Sequence, residues 1–284
     1  MILTECRQQR HCRVSNRHFR TGVNMKLRTR EFGNPKAPII VMLHGWGLAS
    51  DVFRSIVSYL SPRYRVILVD LPGYGLNTDI PANRALGTMV NLEETLPDNI
   101  IIMGWSLGGV LALRYTIMNP NRVRALITVS SSPRFTSQPE EHWPGTPPEL
   151  LRKLQSLLTQ ENVYRVIDKF LSLQAMGSPT MKNDIREIRE LLKDVPLPSY
   201  YELQAGLKTL ADEDLRGCLT RVECPALHLY GIKDRLVPAQ GSSIWPVNDH
   251  SLIHVFRNSS HAPFISEPEG FRQILLDFLD KYAT

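Results

Sequence analysis

Six short runs of branched apolar residues punctuate this chain: Ile39–Leu43, Arg65–Val69, Ile100–Met103, Ala125–Val129, Ala226–Tyr230 and Leu252–Phe256. Turn residues bound them, and helix-like patterns separate them. A short run with little polar alternation suits a strand covered on both faces. The series therefore predicts an α/β architecture, with a mostly parallel central sheet flanked by helices. In such sheets ligands bind beyond the carboxyl ends of the strands. The residues that follow the runs are thus where chemistry is to be sought, and 284 residues suffice for one large α/β core.

The series breaks once. Between residues 135 and 215 the strand signal vanishes: Pro139, Pro144, Pro147 and Pro148 interrupt the entry, and three or four amphipathic helical patterns follow, at roughly 149–159, 161–176, 181–194 and 199–210. An all-helical insertion of that length between two sheet strands reads as a lid over the active-site edge. The core then falls into two parts, residues 25–134 and 216–284.

Directly after Ile100–Met103 comes Gly104-Trp105-Ser106-Leu107-Gly108, and after that a helix-like stretch from Val110 to Tyr115. A serine flanked at two-residue spacing by glycines, on a sharp strand-to-helix turn, is the pattern of a nucleophile elbow. A serine hydroxyl is a weak nucleophile unless a base takes its proton, and the base needs an anion to hold its tautomer. His261 follows the last run, in Asn258-Ser259-Ser260-His261, and Asp234 follows the run ending at Tyr230. Each lies at a strand end, and the order Ser, Asp, His is that of α/β-hydrolases. Asp70 also ends a strand, but its sequel Leu71-Pro72-Gly73-Tyr74-Gly75 reads as a structural turn. The loop after Val129 offers only Ser130, Ser131 and Ser132. His228 and His254 lie inside strand patterns, as packed or hydrogen-bonded residues.

A tetrahedral intermediate also needs donors for its oxyanion. The Leu107 N–H, at the open start of the helix after the nucleophile, is one candidate. The Trp46 N–H, in the loop His44-Gly45-Trp46-Gly47 after the first run, is the second. His44 is expected to brace that loop.

The net charge of +5 is concentrated at one end. Residues 1–24 carry five arginines against Glu5, a net +4, which leaves +1 for the rest. The composition predicts a disordered basic extension, with Met25 as an alternative start. No aromatic-interleaved basic surface supports nucleic-acid binding. No apolar stretch approaches the roughly 18 residues of a membrane span, and residues 1–24 lack the apolar core of a secretory signal. None of the four cysteines stands in a C-x-x-C pair or at metal-ligand spacing from histidine. The expectation is a cytoplasmic monomer that uses neither metal nor organic cofactor.

From Met25 onward the chain resembles the pimeloyl-[acyl-carrier protein] methyl ester esterases of bacterial biotin synthesis, which are α/β-hydrolases. The matching segments are Leu43-His44-Gly45-Trp46-Gly47-Leu48, Val69-Asp70-Leu71-Pro72-Gly73-Tyr74-Gly75, Gly104-Trp105-Ser106-Leu107-Gly108-Gly109 and His261-Ala262-Pro263-Phe264-Ile265-Ser266. More diagnostic are Trp105 beside the nucleophile, Ser131-Ser132-Pro133, Trp143-Pro144-Gly145, and the run Phe170 to Gly177. Two departures stand out: residues 1–24 have no counterpart, and Asn77 stands where a serine is common. The resemblance implies hydrolysis, through an acyl-enzyme, of the methyl ester at the far end of a pimeloyl chain carried on acyl carrier protein, with release of methanol. It carries over Ser106, Asp234 and His261 as catalytic residues. Trp46, Ser106, Leu107, Phe170, Leu171, Ser172, Leu173, Gln174 and His261 carry over as substrate contacts.

The lid pattern bears on the carrier protein. At about 100° per residue, Lys182, Arg186, Arg189 and Lys193 form one stripe, apart from Glu187, Glu190 and Asp194 and from the apolar Met181, Ile185, Ile188 and Leu192. Arg165 and Lys169 add a four-residue pair. Acyl carrier proteins are acidic, so such a stripe can steer and orient one. The competing reading is a solvated face laced with ion pairs. Two further functional readings stay open: a general short-chain carboxylesterase or C–C bond hydrolase on the same scaffold, and a non-enzymatic small-molecule receptor.

Overall fold

The runs Ile39–Leu43 (β2), Arg65–Val69 (β3), Ile100–Trp105 (β4), Val123–Val129 (β5), Ala226–Gly231 (β6) and Ser251–Phe256 (β7) pair in parallel. The computed structural model describes residues 26–81, 85–243 and 248–282; the expected basic extension over residues 1–24 lies outside them. A seventh strand, Thr29–Phe32 (β1), joins antiparallel to β3 at one edge. The sheet order is β1-β3-β2-β4-β5-β6-β7, so the mostly parallel sheet expected from the runs is the one observed.

That order positions the site. From β2 the chain steps outward to β3 through Arg54–Leu60 (α1), and from β4 it steps the other way to β5 through Leu107–Met118 (α3). Right-handed crossovers in opposite directions lie on opposite faces of a sheet. A crevice therefore opens at the carboxyl ends of β2 and β4, where such folds bind ligands. The loop His44–Gly47 and Ser106 both leave the sheet at this point.

The central strands carry the buried-on-both-faces pattern: every residue of β4 and β6 is buried. The edge strands do not. Leu252 and Ile253 of β7 are exposed, and β1 is only half-covered. Helix α3 is buried along nearly its whole length, which places it at the middle of the core. Ala85–Thr95 (α2) packs beside it, and Pro263–Ser266 (α8) and Pro268–Tyr282 (α9) end the chain.

Between β5 and β6 no residue joins the sheet. Four helices occupy this segment: Pro148–Leu157 (α4), Val163–Ala175 (α5), Met181–Leu192 (α6) and Tyr200–Asp212 (α7). Their ends are chemically marked: Pro147 precedes α4, Ser199 caps α7 by accepting from the Tyr201 N–H, and Gly177 takes φ 94° after α5. Ahead of them, Gln138 and Trp143 form an antiparallel bridge. No helix among the described residues is long and apolar enough to cross a membrane.

Candidate active site

Ser106 sits at the junction of β4 and α3 with φ 55° and ψ −118°, a conformation that costs a non-glycine residue roughly 1–3 kcal/mol. The surroundings enforce it. Its N–H donates to the Val129 carbonyl at 2.9 Å, and its own carbonyl accepts from the Gly109 and Val110 N–H groups at 2.9 and 3.2 Å. The flanking glycines are steric requirements. A Cβ at Gly104 would lie 2.1 Å from the Gly108 carbonyl oxygen, and one at Gly108 would lie 2.2 Å from that of Leu43.

Asp234 and His261 meet. His261 Nδ1 lies 2.7 Å from Asp234 Oδ2, with both side chains buried. The other carboxylate oxygen accepts from the Leu236 and Val237 N–H groups at 2.8 and 3.0 Å, so the Asp234 carboxylate is fixed from both sides. The His261 backbone is fixed likewise. Its N–H donates to the Gln174 carbonyl at 3.1 Å, and its carbonyl accepts from Trp105 Nε1 at 2.7 Å. Because Trp105 immediately precedes the serine, this last bond ties the imidazole-bearing loop to the elbow. Ser106 Oγ and His261 Nε2 are both buried, and neither has a hydrogen-bond partner. The bond expected between a serine nucleophile and its base is not formed, although such bonds often tighten only once a substrate is seated.

The two expected oxyanion donors lie at the crevice. Leu107 opens α3 one residue after Ser106, ahead of the first intrahelical bonds. Trp46 is fully buried, and its Nε1 donates to the Leu203 carbonyl of α7 at 2.8 Å. Its ring meets Phe170 of α5 edge-on, with centroids 4.8 Å apart. His44 braces this loop, because its Nε2 accepts from the Leu71 N–H at 3.0 Å while Nδ1 lies 2.8 Å from the Gly45 carbonyl. The proton thus resides on Nδ1. Burial, acting against the charge of Asp70, holds this imidazole below its ordinary pKa.

Asp70 is structural. Its carboxylate accepts from the Ser50 N–H, the Ser50 hydroxyl and the Leu76 N–H, and it pairs with Arg30. The unusual Asn77 serves the same turn: its Nδ2 donates to the Asp70 and Arg28 carbonyls, and its Oδ1 accepts from the Arg28 N–H. His228 bonds to Thr128 Oγ1 at 2.8 Å, with burial driving its pKa down to about 3.

Phe170 and Leu171 are buried on the inner face of α5, Ser172 turns its hydroxyl back to the Asp168 carbonyl, and Leu173 is half-buried. Gln174 is buried, and neither its amide nitrogen nor its amide oxygen is hydrogen-bonded. A cavity of about 550 Å³ is lined by Gly47 to Ala49 on the core side and by Ile167, Leu171, Arg186 and Arg189 on the helical side. Arg165, Lys169, Lys182, Arg186 and Arg189 are all exposed. Arg189, however, is paired with Asp168 of α5, and Lys193 with Glu190. Among the described residues, Arg186 bonds only to the neutral Asn183.

Two features of the rim escaped the sequence. Gln174 acts on His261 through a backbone carbonyl, which no side-chain pattern encodes. Ser131, marked in sequence as part of the diagnostic Ser131-Ser132-Pro133 segment but with no role attached, donates its hydroxyl to the Ser106 carbonyl at 2.8 Å.

Comparison with known proteins matches residues 38–268 to the alpha/beta hydrolase fold family. The chain is 42% identical to the pimeloyl-[acyl-carrier protein] methyl ester esterase of Shewanella sp. (strain MR-7), over 87% of this chain and 92% of that protein. It is 40% identical to the enzyme of the same name from Proteus mirabilis (strain HI4320), over 84% of this chain and 90% of that one. Among solved structures, an esterase from Exiguobacterium antarcticum aligns with a TM-score of 0.78 at 25% identity, covering 89% of this chain and 95% of that one.

Proposed function

The chain belongs to the pimeloyl-[acyl-carrier protein] methyl ester esterase family of α/β-hydrolases, and we propose that it hydrolyses the methyl ester of a pimeloyl chain carried on acyl carrier protein. The observation that carries the chemistry is the 2.7 Å contact from Asp234 to His261, with Nε2 of that ring buried and unpartnered on the loop tied to the Ser106 elbow. The substrate is carried by the relatives' 40–42% identity along most of both chains.

In this reading His261 Nε2 takes the Ser106 proton as Oγ attacks the ester carbonyl carbon, and Asp234 stabilises the resulting imidazolium through Nδ1–H. The carbonyl π pair moves onto oxygen, where the Leu107 and Trp46 N–H groups receive it. The intermediate collapses and breaks the bond to methoxide, which takes the proton from His261 and leaves as methanol. Water, deprotonated by the same Nε2, then attacks the acyl-Ser106 ester. The second intermediate releases the pimeloyl carboxylate and returns Ser106 to its hydroxyl form.

Residues 135–215 serve as the lid, with the stretch Phe170 to Gln174 supplying the acyl-chain contacts, chiefly through the buried Phe170, Leu171 and Gln174. The unpaired amide of buried Gln174 supports that placement, because a buried amide without partners is costly unless something else satisfies it. The carrier protein docks on the exposed cations of α5 and α6. Lys182 and Arg186 matter most, since Arg189 already has a carboxylate partner.

The test compares methyl pimeloyl-acyl carrier protein with short p-nitrophenyl esters, in wild type and in Ser106→Ala. Turnover of both substrates, release of methanol from the first, and loss of both in the variant are expected, together with rescue of a biotin-requiring strain that lacks its own esterase. Failure of a fluorophosphonate to label Ser106, or turnover of the small esters without any action on the carrier-bound ester, would overturn the reading.

A further inference from the structure

The three serines after β5 have no part in the proton relay, yet one of them touches the nucleophile's backbone. Ser131 is buried, and its hydroxyl donates to the Ser106 carbonyl at 2.8 Å. That carbonyl shares one planar peptide unit with the Leu107 N–H, and in a trans peptide the two point in opposite directions. Whatever fixes the direction of the Ser106 carbonyl therefore fixes the direction of the Leu107 N–H. We propose that Ser131 is a positioning residue for the oxyanion donor: its hydrogen bond aims the Leu107 N–H at the tetrahedral intermediate. The inference rests on the role given above to Leu107.

Three donors hold the Ser106 carbonyl. Two of them, the Gly109 and Val110 N–H groups, belong to α3 and move with it. Ser131 is the third, and it alone stands on the neighbouring strand's end, so it references the catalytic peptide to the sheet. Two features bring it within reach. The register pairs Trp105 with Val129, so Ser106 and Ser130 follow side by side, and Ser130 takes φ 44° with its N–H on the Leu229 carbonyl at 2.8 Å. That left-handed residue turns the chain at the end of β5. Gly109 then leaves the room: a Cβ there would stand 2.4 Å from Ser131 Cβ and 2.6 Å from its Oγ. The second glycine of Gly108-Gly109 thus makes space for the serine that braces the peptide.

The experiment measures Ser131→Ala and Ser131→Cys in the full-length protein with p-nitrophenyl butyrate, beside an alkyl trifluoromethyl ketone that adds to the nucleophile and bears an oxyanion. Losing such a donor outright typically costs on the order of 10²- to 10³-fold, so a mis-aimed one should cost about tenfold in kcat. KM should stay within about twofold, and trifluoromethyl ketone affinity should fall in parallel with kcat, because both report the oxyanion. Ser131→Cys, which keeps a weak donor, should fall between Ser131→Ala and wild type; it carries the same test should the alanine variant not fold. Ser132→Ala, one residue on, should leave all three quantities unchanged. A folded variant with unaltered kcat and inhibitor affinity, or one altered only in KM, overturns the proposal. Failure of the wider reading is separately visible, as ester turnover surviving in Ser106→Ala.

Discussion

Along the carboxyl rim of the sheet, Ser106 is held by Val129 and Ser131 at the end of the adjacent strand and by the Gly109 and Val110 N–H groups, and Asp234 by the Leu236 and Val237 N–H groups and by His261. Helices α4 to α7 reach that rim by long-range bonds at a few points: Leu203 to the Trp46 indole, Gln174 to the His261 N–H, and Met176 to the Ser260 hydroxyl at 3.0 Å. The rim's geometry is thus a product of strand register, and the helices attach at Trp46, Ser260 and His261. Away from those points their outer surface is charged and exposed. Its ion pairs, such as Arg189 with Asp168 and Lys193 with Glu190, contribute little to stability in water. Substitutions on the rim should therefore act on the chemical step. Those on the outer helical face should act on what the enzyme meets, and those at the attachment points on both.

The largest effect should come from the rim. Asp234→Asn keeps the shape of the side chain while removing the anion that selects the Nδ1–H tautomer of His261, and kcat on p-nitrophenyl butyrate should fall by on the order of 10⁴-fold. Melting temperature should move far less than that loss suggests, because the Leu236 and Val237 N–H groups can still bond to the amide oxygen. A fall of less than about tenfold would mean that the rim does not work as a relay.

The rim was also the more legible region. Apolar runs bounded by turn residues announce themselves, so β2 to β7 could be read from the sequence pattern, even though β7 is partly exposed. β1 could not, because Thr29-Arg30-Glu31-Phe32 is an edge strand paired on one side only and carries charge. Ser106, Asp234 and His261, the residues proposed to form the relay, stood out as candidates because each follows a strand and the proposed role rests on its side chain. The Gln174 and Leu203 carbonyls were not, since a backbone acceptor leaves no mark in sequence. Periodicity placed Arg189 on the same stripe as Lys182 and Arg186. It could not see that Asp168, on another helix and 21 positions earlier, neutralises it.

On the outer face, Lys182→Glu combined with Arg186→Glu should lower kcat/KM for methyl pimeloyl-acyl carrier protein by at least about tenfold at low ionic strength. The loss should shrink as salt is raised and should be absent with p-nitrophenyl esters. Arg189→Ala should do less, since its charge is already paired. Equal losses on both substrates would erase the distinction between rim and outer face.

At the attachment points the effect should be smaller and mixed. Trp46→Phe removes the indole N–H and leaves the Leu203 carbonyl of α7 without its partner, which costs up to about 3 kcal/mol when the orphaned group stays buried. A lower melting temperature should accompany a modest fall in kcat/KM, read by calorimetry and ester hydrolysis on the same sample. An unchanged melting temperature would show that the helices do not depend on this bond.

The smallest effect separates the two regions by pH. Residues 148–212 contain no histidine, whereas the sheet buries His228, whose pKa burial pushes down to about 3. Between that value and the ordinary imidazole pKa of about 6.5, the unfolded chain binds a proton at this residue that the folded chain refuses. Stability therefore falls as pH drops through about 6.5 and continues to fall toward 3, since it rises with pH wherever the unfolded state holds more protons. At pH 5 this one residue should account for a loss of about 2 kcal/mol relative to neutral pH. His228→Gln keeps a hydrogen-bonding partner for Thr128 and does not titrate, so its melting temperature should fall less between pH 7 and 5 than that of wild type. Parallel slopes in the two proteins would move the source of acid sensitivity away from this strand.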